Sequence, residues 1–131
     1  MYLLDSNICI ALIKANPIVM PIFMAKAVQC YIPTLVLGEL YKGVYCSQKV
    51  EKNLVNLKNF LSLVAIIEFD RVAALEFGLI QGELRSKGKP TGEIDALIAA
   101  VARSRLDTLV TNNIRHFKNI DGLKLENWLE Q

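Results

Sequence analysis

At 131 residues with 53% hydrophobic side chains, the chain is long enough to bury one core and too apolar for disorder. Fifteen basic against 13 acidic residues leave a net charge of +2, which excludes a globally basic nucleic-acid binder, so any basic footprint must be local. Cys9, Cys30 and Cys46 are odd in number and lack CxxC spacing, so they read as buried small hydrophobes of a reducing compartment, with no disulfide framework. The apolar start carries no basic flank and meets Asp5 too soon for a signal peptide. The apolar stretch from Ala15 to Ala25 is broken by Pro17 and Pro21, so no membrane span is expected and the cytoplasm is the expected location.

In chain order, Met1 to Leu4 reads as a first strand that stops at Asp5, and Ser6 to Ala15 as a helix apolar almost all round. Asn16-Pro17 marks a turn or a helix start with Asn as cap and Pro in the first turn, and a short helix is expected around Met20 to Ala27. Gln29 to Pro33 is a second strand. Thr34 is expected to cap a helix to Tyr45, with Val36, Leu37, Leu40 and Val44 inward and Gly38 and Gly43 allowing close approach. Val50, Leu54, Leu57 and Leu61 recur at helical spacing in a helix that also buries Phe60. Val64 to Phe69 is a third strand, and Asp70 caps a long helix to Lys87, with Ala73, Phe77, Ile80 and Leu84 inward and Gly88 as its stop. Gly92-Glu93-Ile94-Asp95 opens a very apolar helix from Ala96 to Ala102. Thr108 to Thr111 is a fourth strand ended by Asn112-Asn113, Ile114 to Lys118 one helical turn, and Leu123 to Leu125 a last short strand.

This alternation predicts one α/β domain over residues 1–131, a mainly parallel sheet of four to five short strands flanked by helices. In such a sheet Asp5 and Asn112-Asn113 lie at strand carboxyl ends, where open α/β sheets place ligands. Glu39 sits on the helix leaving the second strand, and Asp95 opens the buried helix leading into the fourth. Topology therefore lets three carboxylates, distant in sequence, converge. Clustered buried carboxylates repel and cost several kcal/mol (roughly) unless neutralised. Oxygen donors without a His/Cys pattern suit Mg2+ or Mn2+ better than zinc. Taken singly, Asp5 also suits a helix cap, Asp95 a helix dipole and Glu39 a pairing with Lys42.

The ordered set Tyr2-Leu3-Leu4-Asp5-Ser6-Asn7, Ile32-Pro33, Gly38-Glu39-Leu40, Gly92 to Ala100, Leu109 to Asn113 and Phe117 resembles the PIN domain. The closing Gly122-Leu123 and Glu126-Asn127-Trp128 resemble the end of its VapC-type toxin branch. The resemblance implies a PIN-like three-layer fold and a metal-dependent endoribonuclease toxin of a toxin–antitoxin pair. It also implies an RNA substrate, a VapB-type antitoxin and a homodimer. It places Asp5, Glu39 and Asp95 as catalytic and metal-holding residues, with Mg2+ or Mn2+ as cofactor.

One departure stands out. The family usually carries a fourth acid at the position of Asn113 or His116, and neither is acidic here. Glu93 is a potential substitute, while Ser6, Asn7, Asn112, Asn113 and His116 are candidates for orienting water or phosphate. Arg85, Lys87 and Lys89 precede Asp95 closely enough to contact RNA phosphates, and equally suit the dipole of their helix. Two other classes remain open: a PIN-like module that binds RNA or protein with little or no cleavage, and a Mg2+-dependent phosphatase or phosphotransferase. Against an aspartyl-nucleophile phosphatase, Asp5-Ser6-Asn7 lacks a second Asp two residues on.

Overall fold

The computed structural model describes residues 1–130. Five short strands, β1 (Tyr2–Leu4), β2 (Cys30–Pro33), β3 (Ala65–Ile67), β4 (Thr108–Val110) and β5 (Lys124–Glu126), form one sheet in the order β3-β2-β1-β4-β5. Every pairing is parallel, with Tyr2 opposite both Cys30 and Thr108. Around it run α1 (Ser6–Ile13), α2 (Val19–Lys26), α3 (Thr34–Tyr45), α4 (Val50–Leu61), α5 (Arg71–Lys87), α6 (Glu93–Arg105) and the single turn α7 (Ile114–Phe117). Helices α1 to α4 pack on one another, and α5 packs on α6, which touches α7. The chain steps one way from β1 to β3 and the other way from β3 to β5. Right-handed crossovers then put the two helix groups on opposite faces, giving three layers.

The central strands carry the core. Leu3, Leu4, Tyr31, Ile32, Leu109 and Val110 are fully buried, as covered parallel strands require. Helix α6 reads the same way: Ala96, Ile98, Ala99, Ala100, Val101 and Ala102 are all buried, and their small side chains let it lie close to its neighbours. At the amino-terminal edge of the sheet, Asp107 is buried and accepts from Tyr31 Oη at 2.8 Å and Arg105 Nε at 2.9 Å, with the Met1 amine at 3.2 Å. Burial acts to raise the Asp107 pKa, but these bonds outweigh it and hold the carboxyl below its usual value. Asp70 caps α5 through the Ala73 N–H at 2.9 Å, and Gly88 ends that helix in the left-handed conformation, φ 65°, as expected.

Several expectations need correction. Pro33, not Thr34, occupies the cap of α3 and makes no side-chain cap bond; Thr34 is already helical because Pro33 completes the strand. Gly38 and Gly43 have nothing within 4 Å of an added Cβ, so neither mediates close packing in this chain. Helix α1 stops at Ile13 because Ala15 turns left-handed, φ 55°, a conformation that composition does not announce in an alanine. Helix α6 extends from Glu93 to Arg105, further than its apolar segment, because polar residues continue it past the buried stripe. Strand β3 shrinks to Ala65–Ile67 and β5 shifts by one residue. Both are exposed edge strands, where pattern constrains bounds least. Within the apolar stretch from Ala15 to Ala25, Val19 and Phe23 enter the core while Ile18 and Met24 stay exposed.

Candidate active site

The sheet changes direction between β1 and β4, and the crevice at such a switch point lies beyond the strand carboxyl ends. Asp5 stands there. Its backbone N–H continues the ladder to Val110 O at 3.0 Å. Its carboxylate is 5% exposed and held at both oxygens: Oδ1 accepts from Ser6 N at 2.8 Å, capping α1, and Oδ2 accepts from Thr111 Oγ1 at 2.8 Å. Each oxygen keeps a further lone pair. Burial pushes the Asp5 carboxyl up, the Thr111 and Ser6 bonds pull it back, and the charge of Asp95 raises it again.

Glu39 comes from the second turn of α3, and Asp95 from the first turn of α6, the two helices touching at this edge. Glu39 is at the surface, yet partial burial and then the charges of Asp5 and Asp95 raise its pKa, against a Ser6 contact and Lys42. Asp95 is 28% exposed, and His116 Nδ1 stands 3.1 Å from its Oδ2. The three carboxylates are thus within electrostatic reach of one another. Among the described residues, however, no three His, Cys, Asp or Glu side chains are gathered tightly enough to ligate one ion by themselves.

The supporting candidates divide. Ser6 serves Asp5 through its N–H, and the Asn113 N–H donates to Thr111 Oγ1 at 3.0 Å, so that residue acts through Thr111. Asn112 Oδ1 accepts from Asn127 Nδ2 at 3.4 Å and makes no bond to Asp5 among the described residues. Asn7 and Glu93 are exposed and make no bond to the carboxylates among the described residues. Arg85 and Lys89 are exposed, whereas Lys87 pairs with Asp121 at 2.8 Å. Sequence reasoning missed Thr111, which is fully buried and binds Asp5 directly. The available signal was a hydroxyl immediately after the buried apolar pair Leu109-Val110 at the carboxyl end of a strand.

Beside Glu39 opens an apolar groove of about 230 Å³ between α1, α3 and α4, lined by Ile10, Ile13, Leu40, Val44 and Leu57 among others. A second hollow of similar volume, under Met20, Phe23 and Phe60, shares Ile13 and Asn56 with it. The two are neighbours along α1 and α4. Among the described residues, no helix is long and apolar enough to cross a membrane.

Comparison with known proteins agrees with this architecture. The PIN domain model matches residues 2–123. The chain is 39% identical over 128 residues to the tRNA(fMet)-specific endonuclease VapC of Shigella flexneri, covering 97% of each chain. It is 42% identical over 130 residues to ribonuclease VapC2 of Rickettsia felis, again covering 97% of each. Among solved structures, DNA-bound VapBC from Salmonella typhimurium superposes with a TM-score of 0.93 at 36% identity, over 97% of both chains. VapBC2 from Rickettsia felis, bound to a promoter DNA fragment, gives 0.90 at 40%, over 97% of this chain and 98% of that one. With its five-stranded parallel sheet, its switch-point carboxylates and this agreement along nearly its whole length, the chain belongs to the PIN domain family, in the VapC branch.

Proposed function

We propose that this protein is the toxin of a VapBC-type pair, a metal-dependent endoribonuclease hydrolysing RNA phosphodiester bonds at Asp5, Glu39 and Asp95. The observation that carries the reading is the meeting of three carboxylates at the sheet's switch point, with Asp5 and Glu39 pushed up by burial and by their neighbours' charge. The names of the relatives point to RNA, and the tRNA(fMet)-specific relative suggests the first substrate to assay.

The donor set fits Mg2+ or Mn2+. Magnesium is held through one or two carboxylates, keeping water and substrate phosphate in its other positions, so a site that does not close three side chains on one ion still suits it. Asp5 and Asp95 would hold the ion, with Glu39 at the rim. Bound there, the ion supplies polarisation of a phosphoryl oxygen and a more acidic water. The chain's own part is orientation. Ser6 and Thr111 fix the plane of the Asp5 carboxylate and leave its outer lone pairs free. His116 steadies Asp95 in the same way.

The apolar lining beside Glu39 is where we place an amphipathic segment of a VapB-type antitoxin, since VapBC complexes are among the solved structures this chain resembles. We also retain a homodimer, for which Tyr41 and Tyr45, stacked at 6.4 Å on α3 with Tyr45 60% exposed, remain available. Light scattering that finds only monomer at micromolar concentration removes the dimer.

Asp5→Asn tests the core of the reading. Cleavage of RNA in Mn2+ should collapse; a variant that cuts as fast as the parent refutes the site. One observation favours a second reading, an RNA-binding module without cleavage: His116 stands against Asp95, at one of the two positions where the family resemblance implies a fourth acid. Metal titration separates the two, since that module binds RNA and cuts it at no concentration of either ion.

A further inference from the structure

We propose that residues 84–92 and 112–120 form one positively charged track for RNA phosphates beside Asp95, contacted by Arg85, Lys89, Arg115 and Lys118, with Lys87 as its internal staple. The inference rests on the ribonuclease reading and adds to it where the strand runs.

The argument starts from charge distribution. Net charge is only +2, yet five of the 15 Lys and Arg residues fall in these two segments, and neither contains an Asp or Glu. Distant in sequence, they are fastened together. Thr91 Oγ1 donates to His116 O at 2.7 Å, and Lys87 Nζ donates to Asn119 O at 3.0 Å while pairing with Asp121 at 2.8 Å. The same turn that carries Arg115 carries His116, whose ring meets Asp95 at 3.1 Å. The basic surface therefore begins at the carboxylate edge and not elsewhere on the molecule.

Arg85, Lys89, Arg115 and Lys118 are all exposed, and none has a carboxylate within 4 Å among the described residues. Cations left unpaired in one patch repel one another, and a polyanion removes that repulsion while releasing its own counterions. Lys87 differs. Its charge is already answered by Asp121, so it holds the two segments in place and contributes little to the strand. Arg115 and Lys118 are the residues this adds to the set readable from sequence, and Lys87 is the one it takes out.

The test uses the full chain carrying Asp5→Asn and a short unstructured single-stranded RNA, with binding followed by fluorescence anisotropy across a salt series in Mg2+. In that background Arg115→Ala, Lys89→Ala, Arg85→Ala and Lys118→Ala should each make the negative slope of log affinity against log salt shallower by about 0.7, one single-strand phosphate contact. Lys87→Ala should change it by less than any of these, and the distant Lys58→Ala should leave it unchanged. With Asp5 intact, Arg115→Ala and Lys89→Ala should raise KM for the same RNA with kcat preserved. Unchanged slopes for Arg115→Ala and Lys89→Ala overturn the track while leaving the ribonuclease reading intact, which fails instead if the parent cuts RNA at no metal concentration or if Asp5→Asn still cuts. An RNA that does not bind, with a Glu-rich peptide binding through these residues instead, overturns the track in favour of a protein partner.

Discussion

Thr111→Val removes one hydroxyl at the centre of the site and nothing else of comparable size. The hydroxyl is fully buried, donates to Asp5 Oδ2 at 2.8 Å and accepts from the Asn113 N–H at 3.0 Å. A hydrogen bond to an ionised group contributes about 1.5–3 kcal/mol, and the stranded Asn113 donor adds to the loss. For a domain of this size that corresponds to a melting temperature lower by about 5–12 °C. The Thr111 bond is the largest influence holding the Asp5 carboxyl down against burial, so its removal pushes Asp5 further up. The lost stabilisation belongs to the charged form of Asp5. It is therefore felt in full above the Asp5 pKa and fades as pH falls and the carboxyl protonates in both proteins. Loss of a group that orients a ligand also weakens metal affinity or activity by about 10–100-fold. Calorimetry at several pH values and a metal titration of cleavage measure both effects. If Thr111→Val melts with the parent at neutral pH and needs no more metal, Thr111 does not hold Asp5 as argued.

Three further outcomes are expected. His116→Glu puts an acid beside Asp95, so it should lower the metal concentration for half-maximal cleavage, more for Mg2+ than Mn2+, and melt lower in EDTA; no change with either ion places His116 outside the metal site. Asp107→Asn should cost about 1–3 kcal/mol at neutral pH, the low figure reflecting that Arg105 and the Met1 amine are both more than a third exposed. Because the folded state holds the Asp107 carboxyl below its usual pKa, the wild-type advantage is present above that usual value and disappears as pH falls through the folded one, so acid unfolding of the variant should be flatter. Cys46 alone is exposed, while Cys9 is fully buried and burial pushes the Cys30 thiol up to about 11, so a thiol reagent at mildly alkaline pH should titrate one cysteine in the native protein and three in denaturant.

The features legible in the sequence were those where one physical requirement dominates. Buried parallel strands must be continuously apolar, which marks Tyr2–Leu4 and Cys30–Pro33; Asp70 and Gly88 bracket α5 because caps have few alternatives. The grouping of Asp5, Glu39 and Asp95 followed from topology, since strand carboxyl ends share one edge of a parallel sheet. What stayed hidden was pairwise. Nothing in the order of residues says that Thr111 binds Asp5, 106 positions away, or that Lys87 is occupied by Asp121 while Arg115 is not. Ala15 and Leu106 turn left-handed without the glycine or asparagine that would announce it. The edge strands slipped because their exposed side chains impose no register.

Asp5 shows why the bland and the functional reading of an acid need not compete. Its Oδ1 does cap α1 through Ser6, the ordinary use of an Asp before a helix, while Oδ2 engages Thr111 across the sheet. Asparagine at this position retains the cap, because its Oδ1 still accepts from Ser6 N. Its Nδ2 then faces Thr111 Oγ1, whose second lone pair can accept beside the Asn113 N–H once the hydroxyl proton turns away. The substitution thus keeps the shape and most of the hydrogen bonding while deleting a buried charge that burial and Asp95 both oppose. Without metal, Asp5→Asn should melt no lower than the parent, and higher if the relief of repulsion exceeds the cost of turning the Thr111 hydroxyl. With Mn2+ the order reverses, since stabilisation by a ligand grows with its affinity for the folded state and the variant has lost the charge that attracts the ion. Thermal melts with EDTA and with Mn2+ therefore separate the two roles of one carboxylate. A large drop in EDTA would make Asp5 chiefly a structural cap, whereas a metal-induced rise equal to the parent's would remove it from the ligand set.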